Sequence, residues 1–326
     1  MTVKLEDVAK LAGVSPTTVS RVINNYGAIS DKTKKAVHAA MNQLNYRPNT
    51  LARSLQGKSP HLIGLIFYDV SHPFFGELVS RLENLLFERG YKAILCNSAN
   101  DPKKEREYLR LLAANQVDGI IAGAHNENIP EYKAYGLPIV SFDRNLAPTI
   151  PIVSSDNAQG GRLAASVLSA NGVQAPLIIT GKELPNSPTN ARSQGFHDYF
   201  AAHGIESATM VIPFETAAAI RRTEIQRLLT KGQYDGIFCT DDLTAMQVHQ
   251  QALTMGIRVP DDLKLIGYDG TRFIQNYYPA LTTIVQPLDD IAKLLIDLLL
   301  KRINDHKADL DPNYLLPVSL HQGITA

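Results

Sequence analysis

The 326-residue chain has no tryptophan, only two cysteines and no net charge at neutral pH. Cys96 and Cys239 each sit inside an apolar, strand-like run, which argues against a disulfide-stapled secreted scaffold and reads as two buried, reduced thiols. Long hydrophobic runs are missing as well. "LLIDLLL" falls far short of the ~20 residues that cross a bilayer, so no membrane partner is expected. No basic segment followed by an apolar one opens the sequence, which points away from secretion and toward the cytoplasm. There is no GxGxxG after the first strand-like run and no GxxxxGK[ST], so nucleotide-cofactor chemistry has no fingerprint. The nine histidines show neither HExxH nor paired-ligand spacing, and no metal or cofactor is expected.

What is there describes a globular protein, 44% hydrophobic and 20% charged, long enough for two or three domains. The zero net charge hides an uneven distribution. Residues 1–60 hold nine basic side chains against three acidic ones, and the remainder carries the matching acidic excess. A basic head on an acidic body suggests a polyanion-binding module, although a solvated charged face has the same composition.

The head reads as three short helices. "LEDVAKLA" places Leu5, Val8, Ala9 and Ala12 on one face, but Lys4 stands where a capping Ser or Thr is expected. Gly13 permits a tight turn, Ser15 caps the second helix, and Pro16 fits at its first position, where no N–H is needed. Val19, Val22 and Ile23 then face inward and Thr17, Ser20, Arg21 and Asn24 outward, with Thr18 beside them. Ser30 caps a third helix whose apolar face is Val37, Ala40, Met41 and Leu44. Two helices joined by a glycine turn describe a helix-turn-helix, whose second helix reaches base edges in the major groove. A generic three-helix bundle fits the same spacing.

The stretch "LEDVAKLAGVSPTTVSRVIN…ISDKTKKAVHAAMNQLNYRPNTLARSLQGK" resembles the DNA-binding head and hinge of the LacI family of bacterial repressors. The likeness continues in "SSDNAQGG", "DDLTAM", "RVPDDLKLIGYDG" and "PALTTIVQP". Within that family, "SPTTVSRVIN", "SFDRNLAP" and "IPIVSSDN" are most similar to sucrose-operon repressors of Gram-positive bacteria. The resemblance implies base reading by Pro16, Thr17 and Arg21, with Pro16 departing from the polar or aromatic residue common there. It also implies that Leu55 wedges into the minor groove. "NTLARSLQ" is too short to hold a helix alone in water, so it is expected to order on operator DNA beside a second subunit; a flexible tether is the competing reading.

From His61 the pattern alternates between apolar runs and amphipathic helices: "LIGLIF", "KAILCN", "DGIIAG", "PIVSF", "PIVSS", "PLIIT", "TMVIP", "DGIFCT" and "LKLIGY" as strands, and "PFFGELVSRLENLLFERG" and "PKKEREYLRLLAAN" among the helices. This predicts an α/β body of parallel sheets with helices on both sides. "QVDGII" recurs as "QYDGIF", which suggests two similar lobes. The expected organisation is a helix-turn-helix domain (1–48), a hinge helix and linker (49–60), and a two-lobed, periplasmic-binding-protein-like effector and dimerisation domain (61–326). Lobe one is placed at about 61–160 plus 287–326, and lobe two at about 161–286.

Ligands of open α/β sheets bind beyond the carboxyl ends of the strands. Those ends offer Asp69, Asp143, Arg144, Asp241, Asp242 and Asp269, with Arg192 on a nearby helix. Carboxylates and guanidinium groups suit vicinal hydroxyls, and Phe74 and Phe75 offer flat faces to a sugar ring. The family's effector site maps onto Phe74, Phe75, Arg144, Arg192, Asp242 and Asp269, and Asp69 joins them as a candidate. Helix capping competes as the role of Asp156, Asp241 and Asp242. Lys182 and Arg144 could serve a phosphate or simply face solvent.

Paired aspartates could in principle hydrolyse glycosides, but a hydrolase leaves the basic head unexplained, and no catalytic residue is assigned. A sugar-binding protein without a regulatory role would account for the body alone and predicts a signal peptide. The expected function is a homodimeric, sugar-responsive repressor of a sucrose operon. Its expected partners are a palindromic operator DNA and a sugar or sugar phosphate. A relative answering to another sugar such as ribose, or a global carbon-catabolite regulator, is the alternative within the family.

Overall fold

The computed structural model describes residues 3–23, 26–46, 59–123, 126, 129–183 and 187–326. The chain divides into two compact units, Met1–Pro60 and His61–Ala326. In the smaller unit, α1 (Leu5–Ala12), α2 (Pro16–Ile23) and α3 (Asp31–Gln43) bury Val8, Ala9, Val19, Val22, Val37 and Ala40 against one another. The weak start at Lys4 is repaired from inside the helix, since the Lys4 N–H donates to Asp7 Oδ2 at 2.8 Å. Gly13, at φ 67°, turns the chain between α1 and α2. Ser15 Oγ then accepts from the Thr18 N–H at 3.1 Å, and Ser30 Oγ accepts from the Thr33 N–H at 3.3 Å.

The larger unit alternates strand and helix. It begins β1 (Leu62–Phe67), α4 (Pro73–Glu88), β2 (Lys92–Asn97), α5 (Pro102–Ala114), β3 (Gly119–Gly123), α6 (Glu131–Ala134), β4 (Ile139–Phe142) and β5 (Ile152–Ser155). It continues α7 (Asn157–Ala170), β6 (Pro176–Thr180), α8 (Ala191–Ala202), β7 (Ala208–Val211), α9 (Ala218–Lys231), β8 (Gly236–Cys239), α10 (Asp242–Thr254) and β9 (Lys264–Asp269). It closes with α11 (Arg272–Tyr277), β10 (Thr282–Val285), α12 (Leu288–Asn304), β11 (Asn313–Leu316) and β12 (Ser319–His321).

These strands form two sheets, ordered β11-β5-β4-β3-β1-β2 and β12-β10-β9-β8-β6-β7. Among the described residues every pairing is parallel except β10–β12. The two orders correspond position by position, so β4 is the counterpart of β9 and β3 of β8. The "QxDGI" repeat leads into β3 and β8, and its aspartates do the same work in each sheet. Asp118 Oδ2 accepts from the Leu62 N–H at 3.0 Å, where β1 begins. The Asp235 carboxylate accepts from the Gln174 and Ala175 N–H groups at 2.9 and 2.8 Å, just ahead of β6.

The end of the chain differs from the expected lobe boundary. The helix α12 packs into the first sheet's core with Leu78, Leu82 and Val140, and β11 pairs with β5, but β12 pairs with β10 in the second sheet. The split falls at Pro317. The next N–H in line for the first sheet, that of Val318, donates instead to Gln159 Oε1 at 3.1 Å, and the chain steps to the other lobe. The strand β10 has no counterpart among the apolar runs of the sequence, because only Ile284 and Val285 of its four residues are apolar. The chain therefore crosses between lobes near Asp156, Gln286 and Pro317. These crossings are tied together: Ser155 Oγ donates to Gln286 Oε1 at 2.7 Å, and the Asp156 N–H to the Leu316 carbonyl at 2.7 Å. Beyond β12, the Thr282 N–H donates to Thr325 Oγ1 at 2.9 Å, and Thr325 Oγ1 donates to the Leu265 carbonyl at 2.7 Å.

Cys96 and Cys239 are both free and buried, and burial pushes the Cys96 thiol up to about 11. No helix among the described residues is long and apolar enough to cross a membrane.

Candidate functional site

The carboxyl ends of both sheets open onto one cleft, with a cavity volume of about 250 Å³. Its floor is a network around Arg192, at the start of α8 and 8% exposed. Arg192 Nε donates to Asn157 Oδ1 at 2.7 Å and Nη1 to the Thr240 carbonyl at 2.9 Å. Nη2 lies 3.8 Å from Asp143 Oδ2, and the guanidinium carbon sits 3.7 Å above the Tyr268 ring. Asn157 Nδ2 donates to Asp143 Oδ1 at 3.2 Å, so one amide bridges the cation and the carboxylate. Burial works against the Arg192 charge, but Tyr268, Asp143 and Asp269 outweigh it and hold the guanidinium ionised.

Asp143 and Asp269 follow or end the counterpart strands β4 and β9, and both have positive φ, 55° and 122°. Such backbone is disfavoured for residues with a Cβ, and it recurs where a side chain must be aimed at a site. Gln286 Nε2 donates to Asp269 Oδ1 at 2.8 Å, linking the cleft to the second crossing between lobes. Burial, ahead of the opposing pull of Arg192, raises the Asp269 carboxyl to about 8.

Aromatic groups line the first lobe's wall. Phe74 is buried and stacks on Phe142 at 5.7 Å, while Phe75 is half-buried beside it. His72 caps α4, its Nδ1 accepting the Phe74 N–H at 3.3 Å, and burial pulls its imidazole down while Asp241 and Asp69 oppose. Arg144 lines the cleft and pairs with Ser187 Oγ, and exposed Lys182 lies on the opposite lobe.

Of the expected effector residues, Phe74, Phe75, Arg144, Arg192 and Asp269 line the cleft, whereas Asp69 and Asp242 do not. Asp69 closes a turn, accepting from the Ser71 N–H at 2.9 Å and from Ser71 Oγ at 2.8 Å. Asp242 points into the second sheet, where Thr283 Oγ1 and the Gly270 N–H donate to it at 2.5 and 2.7 Å. The absent side chain of Gly267 makes room for it, since a Cβ there would lie 2.2 Å from Asp242 Oδ1. Its neighbour Asp241 does line the cleft and also caps α10, accepting from the Thr244 N–H at 2.8 Å. The sequence reading missed Asn157, Tyr68, Asn100, Phe214, Glu215 and Gln286.

In the smaller unit, Pro16, Thr17 and Arg21 are exposed, and Thr17 and Arg21, four residues apart, share one side of α2. Thr18 is half-buried with its hydroxyl 2.9 Å from Ser15 Oγ, and Ser20 is half-buried. Asn24, Leu55 and the expected hinge helix lie outside the described residues.

Residues 4–49 match the family described as "Bacterial regulatory proteins, lacI family", and residues 165–325 match a "Periplasmic binding protein-like domain". Sucrose operon repressors of Pediococcus pentosaceus and Streptococcus mutans are 56% and 54% identical to this chain over 323 residues, covering 99% of it and 99% of each relative. The lac repressor dimer bound to operator and the anti-inducer ONPF superposes with a TM-score of 0.84 at 27% identity, covering 100% of this chain and 99% of that one. A LacI-type regulator from Alkaliphilus metalliredigens complexed with D-xylulofuranose is 33% identical with a TM-score of 0.75, covering 81% of this chain and 98% of that one. A helix-turn-helix head, a two-lobed body and near-full-length relatives thus agree: the chain belongs to the LacI family of bacterial regulatory proteins.

Proposed function

We propose that the protein is a sequence-specific repressor of a sucrose-utilisation operon, acting in the cytoplasm as a homodimer and released from a palindromic operator by a sugar or sugar phosphate. The observation that carries this reading is the cleft floor, where Arg192, Asn157, Asp143 and Asp269 form a buried set of donors and acceptors suited to vicinal hydroxyls. The near-full-length similarity to sucrose operon repressors supports the choice of sugar. Arg21 and Thr17 read base edges, Pro16 offers only apolar contact, and Leu55 wedges into the minor groove between two hinges. The relatives are named as repressors, so the reading is a regulator and not an enzyme.

The mechanism is linkage. A sugar bound at Asp269 acts on Gln286, and through it on Ser155, so ligand binding biases two of the three crossings between the lobes. Sugar and operator then oppose each other by equal factors, because a coupling free energy between two binding sites is reciprocal. Operator binding followed by fluorescence anisotropy, with and without sucrose, sucrose 6-phosphate, fructose and ribose, tests the reading. Release by sucrose or its phosphate is expected. Release by ribose alone assigns the protein to another operon, and sugar binding without operator binding removes the regulatory role.

A further inference from the structure

The two walls of the cleft are also joined outside the cleft itself. On the first lobe, α4 carries Phe74 and Phe75 to the cleft, and about one turn further along it presents Glu77. On the second lobe, Asp269 ends β9 at the cleft floor, and three residues later Arg272 opens α11. The Arg272 N–H donates to Glu77 Oε2 at 2.8 Å, so a carboxylate of the first lobe holds the main chain of the second. Neither Glu77 nor Arg272 lines the cleft.

Two more charges brace this bond. Arg81, on the next turn of α4, donates from Nη2 to Glu77 Oε1 at 2.5 Å and pairs through Nη1 with Asp289, in the first turn of α12. The side chains of Glu77 and Arg81 are only 16% and 13% exposed, so salt screens their pair little. The Arg272 guanidinium is 72% exposed and approaches Glu77 and Asp289 only at 3.9 Å, too loosely to add much. The cross-lobe bond therefore rests on the Arg272 N–H and not on its side chain.

The connections on either side are stiff. Between Asp269 and Arg272, the Gly270 N–H donates to Asp242, and the Gly270 carbonyl accepts from Gln275 Nε2 at 2.7 Å. Asp289 lies three residues after Gln286, whose Nε2 donates to Asp269 Oδ1. The path from Asp269 through Arg272, Glu77, Arg81 and Asp289 to Gln286 thus closes on itself. Its Arg272–Glu77 bond spans the lobes away from the three crossings, where a change of lobe angle displaces the partners most.

We propose that Glu77 is a positioning residue for the sugar response: its bond to the Arg272 N–H is a strap that favours the same lobe arrangement as sugar, and so sets how far sugar weakens operator binding. The inference rests on the reading of the cleft as a sugar site and adds its regulation. A ligand held between Asp269 on one lobe and Phe74 and Phe75 on the other draws together the two elements that the strap joins. Without the strap, sugar must supply the whole of that preference.

Arg272→Pro isolates the bond. It removes the N–H at the first position of α11, where proline is tolerated, and Thr271 before it already has the extended φ −62° and ψ 160° that proline favours in its neighbour. Arg272→Ala removes the same guanidinium and keeps the N–H. Calorimetry with sucrose and sucrose 6-phosphate, and operator anisotropy with and without them, test the full-length wild type, these two variants, Glu77→Ala and the Glu77→Ala/Arg272→Pro pair. Glu77→Ala and Arg272→Pro should each lower sugar affinity about tenfold and raise operator affinity at saturating sugar by a similar factor, with no loss of operator affinity in its absence. The pair should lose no more than the larger single loss, because both variants break one bond. Arg272→Ala should stay within twofold of the wild type. Should Glu77→Ala not fold, the contrast between Arg272→Pro and Arg272→Ala decides alone. Losses that add, Arg272→Pro with wild-type sugar affinity, or a parallel fall in sugar and operator affinity overturn the strap and leave the sugar reading standing. A wild type that binds neither sugar overturns the sugar reading and the strap with it.

Discussion

The guanidinium carbon of Arg192 lies over the Tyr268 ring, 3.7 Å from its centroid, while its Nε and Nη1 donate to Asn157 Oδ1 and the Thr240 carbonyl. The ring covers the cation and the two hydrogen bonds orient its planar fork, which a lysine lacks. Arg192→Lys should therefore lower sucrose affinity tenfold or more, about 1.4 kcal/mol or above, while operator affinity without sugar stays unchanged. Tyr268→Phe keeps the ring and should change sugar affinity little. Calorimetry on both variants checks this, and wild-type affinity in Arg192→Lys would remove that residue from the site.

Asp269 should make stability depend on pH. Its carboxyl is raised to about 8 by burial, against roughly 3.9 in an unfolded chain. The folded state thus holds the proton more tightly, so this group's contribution to stability falls as pH rises from about 4 to about 8 and is constant above. Asp269→Asn abolishes that dependence. Thermal melts from pH 5 to pH 8 should show the variant gaining on the wild type as pH rises. A constant difference would mean that Asp269 does not titrate in this window.

The crossing of α7 and α8 places Arg192. A Cβ on Gly161 would lie 2.0 Å from the Arg192 carbonyl oxygen, and one on Gly195 would lie 2.3 Å from that of Ala158. Gly161→Ala must push the helices apart, at a cost of about 1–3 kcal/mol. Because the displaced backbone is that of Arg192, sugar affinity should fall along with stability. Denaturant melts paired with sucrose titration check both, and lost stability at full affinity would separate the crossing from the site.

In the head, Arg21→Ala should cost about 1–3 kcal/mol on the operator and relax the preference at one base pair per half-site. Anisotropy titrations on operator and scrambled duplexes distinguish this from a phosphate contact, for which both losses would be equal.

The strand-end rule located Asp269 and Arg144 from sequence because each follows an apolar run that reads as a strand. It could not separate Asp241 from Asp242, since adjacent residues at a helix start point to opposite sides, one into the cleft and one into the sheet. Asn157 and Gln286 escaped for a different reason. Their partners arise only where the lobes cross, and Ser155 and Gln286 stand 131 residues apart in the chain. The change of sheet after Leu316 is hidden for the same reason: it depends on Gln159, far away in the chain, and on the open edge of β10, itself too short to be recognised.

The bond between Thr325 and the second sheet also bears on how the protein is made. Synthesis delivers the helix-turn-helix within the first fifty residues, but neither lobe is a continuous piece of chain. The first waits for β11 and the second for β12 and Thr325. Domains fold as units as they emerge, the N-terminal ones first. On the ribosome, the part that reads DNA therefore exists well before the part that senses sugar. A chain stopped short of residue 313 would carry the head with neither sheet complete.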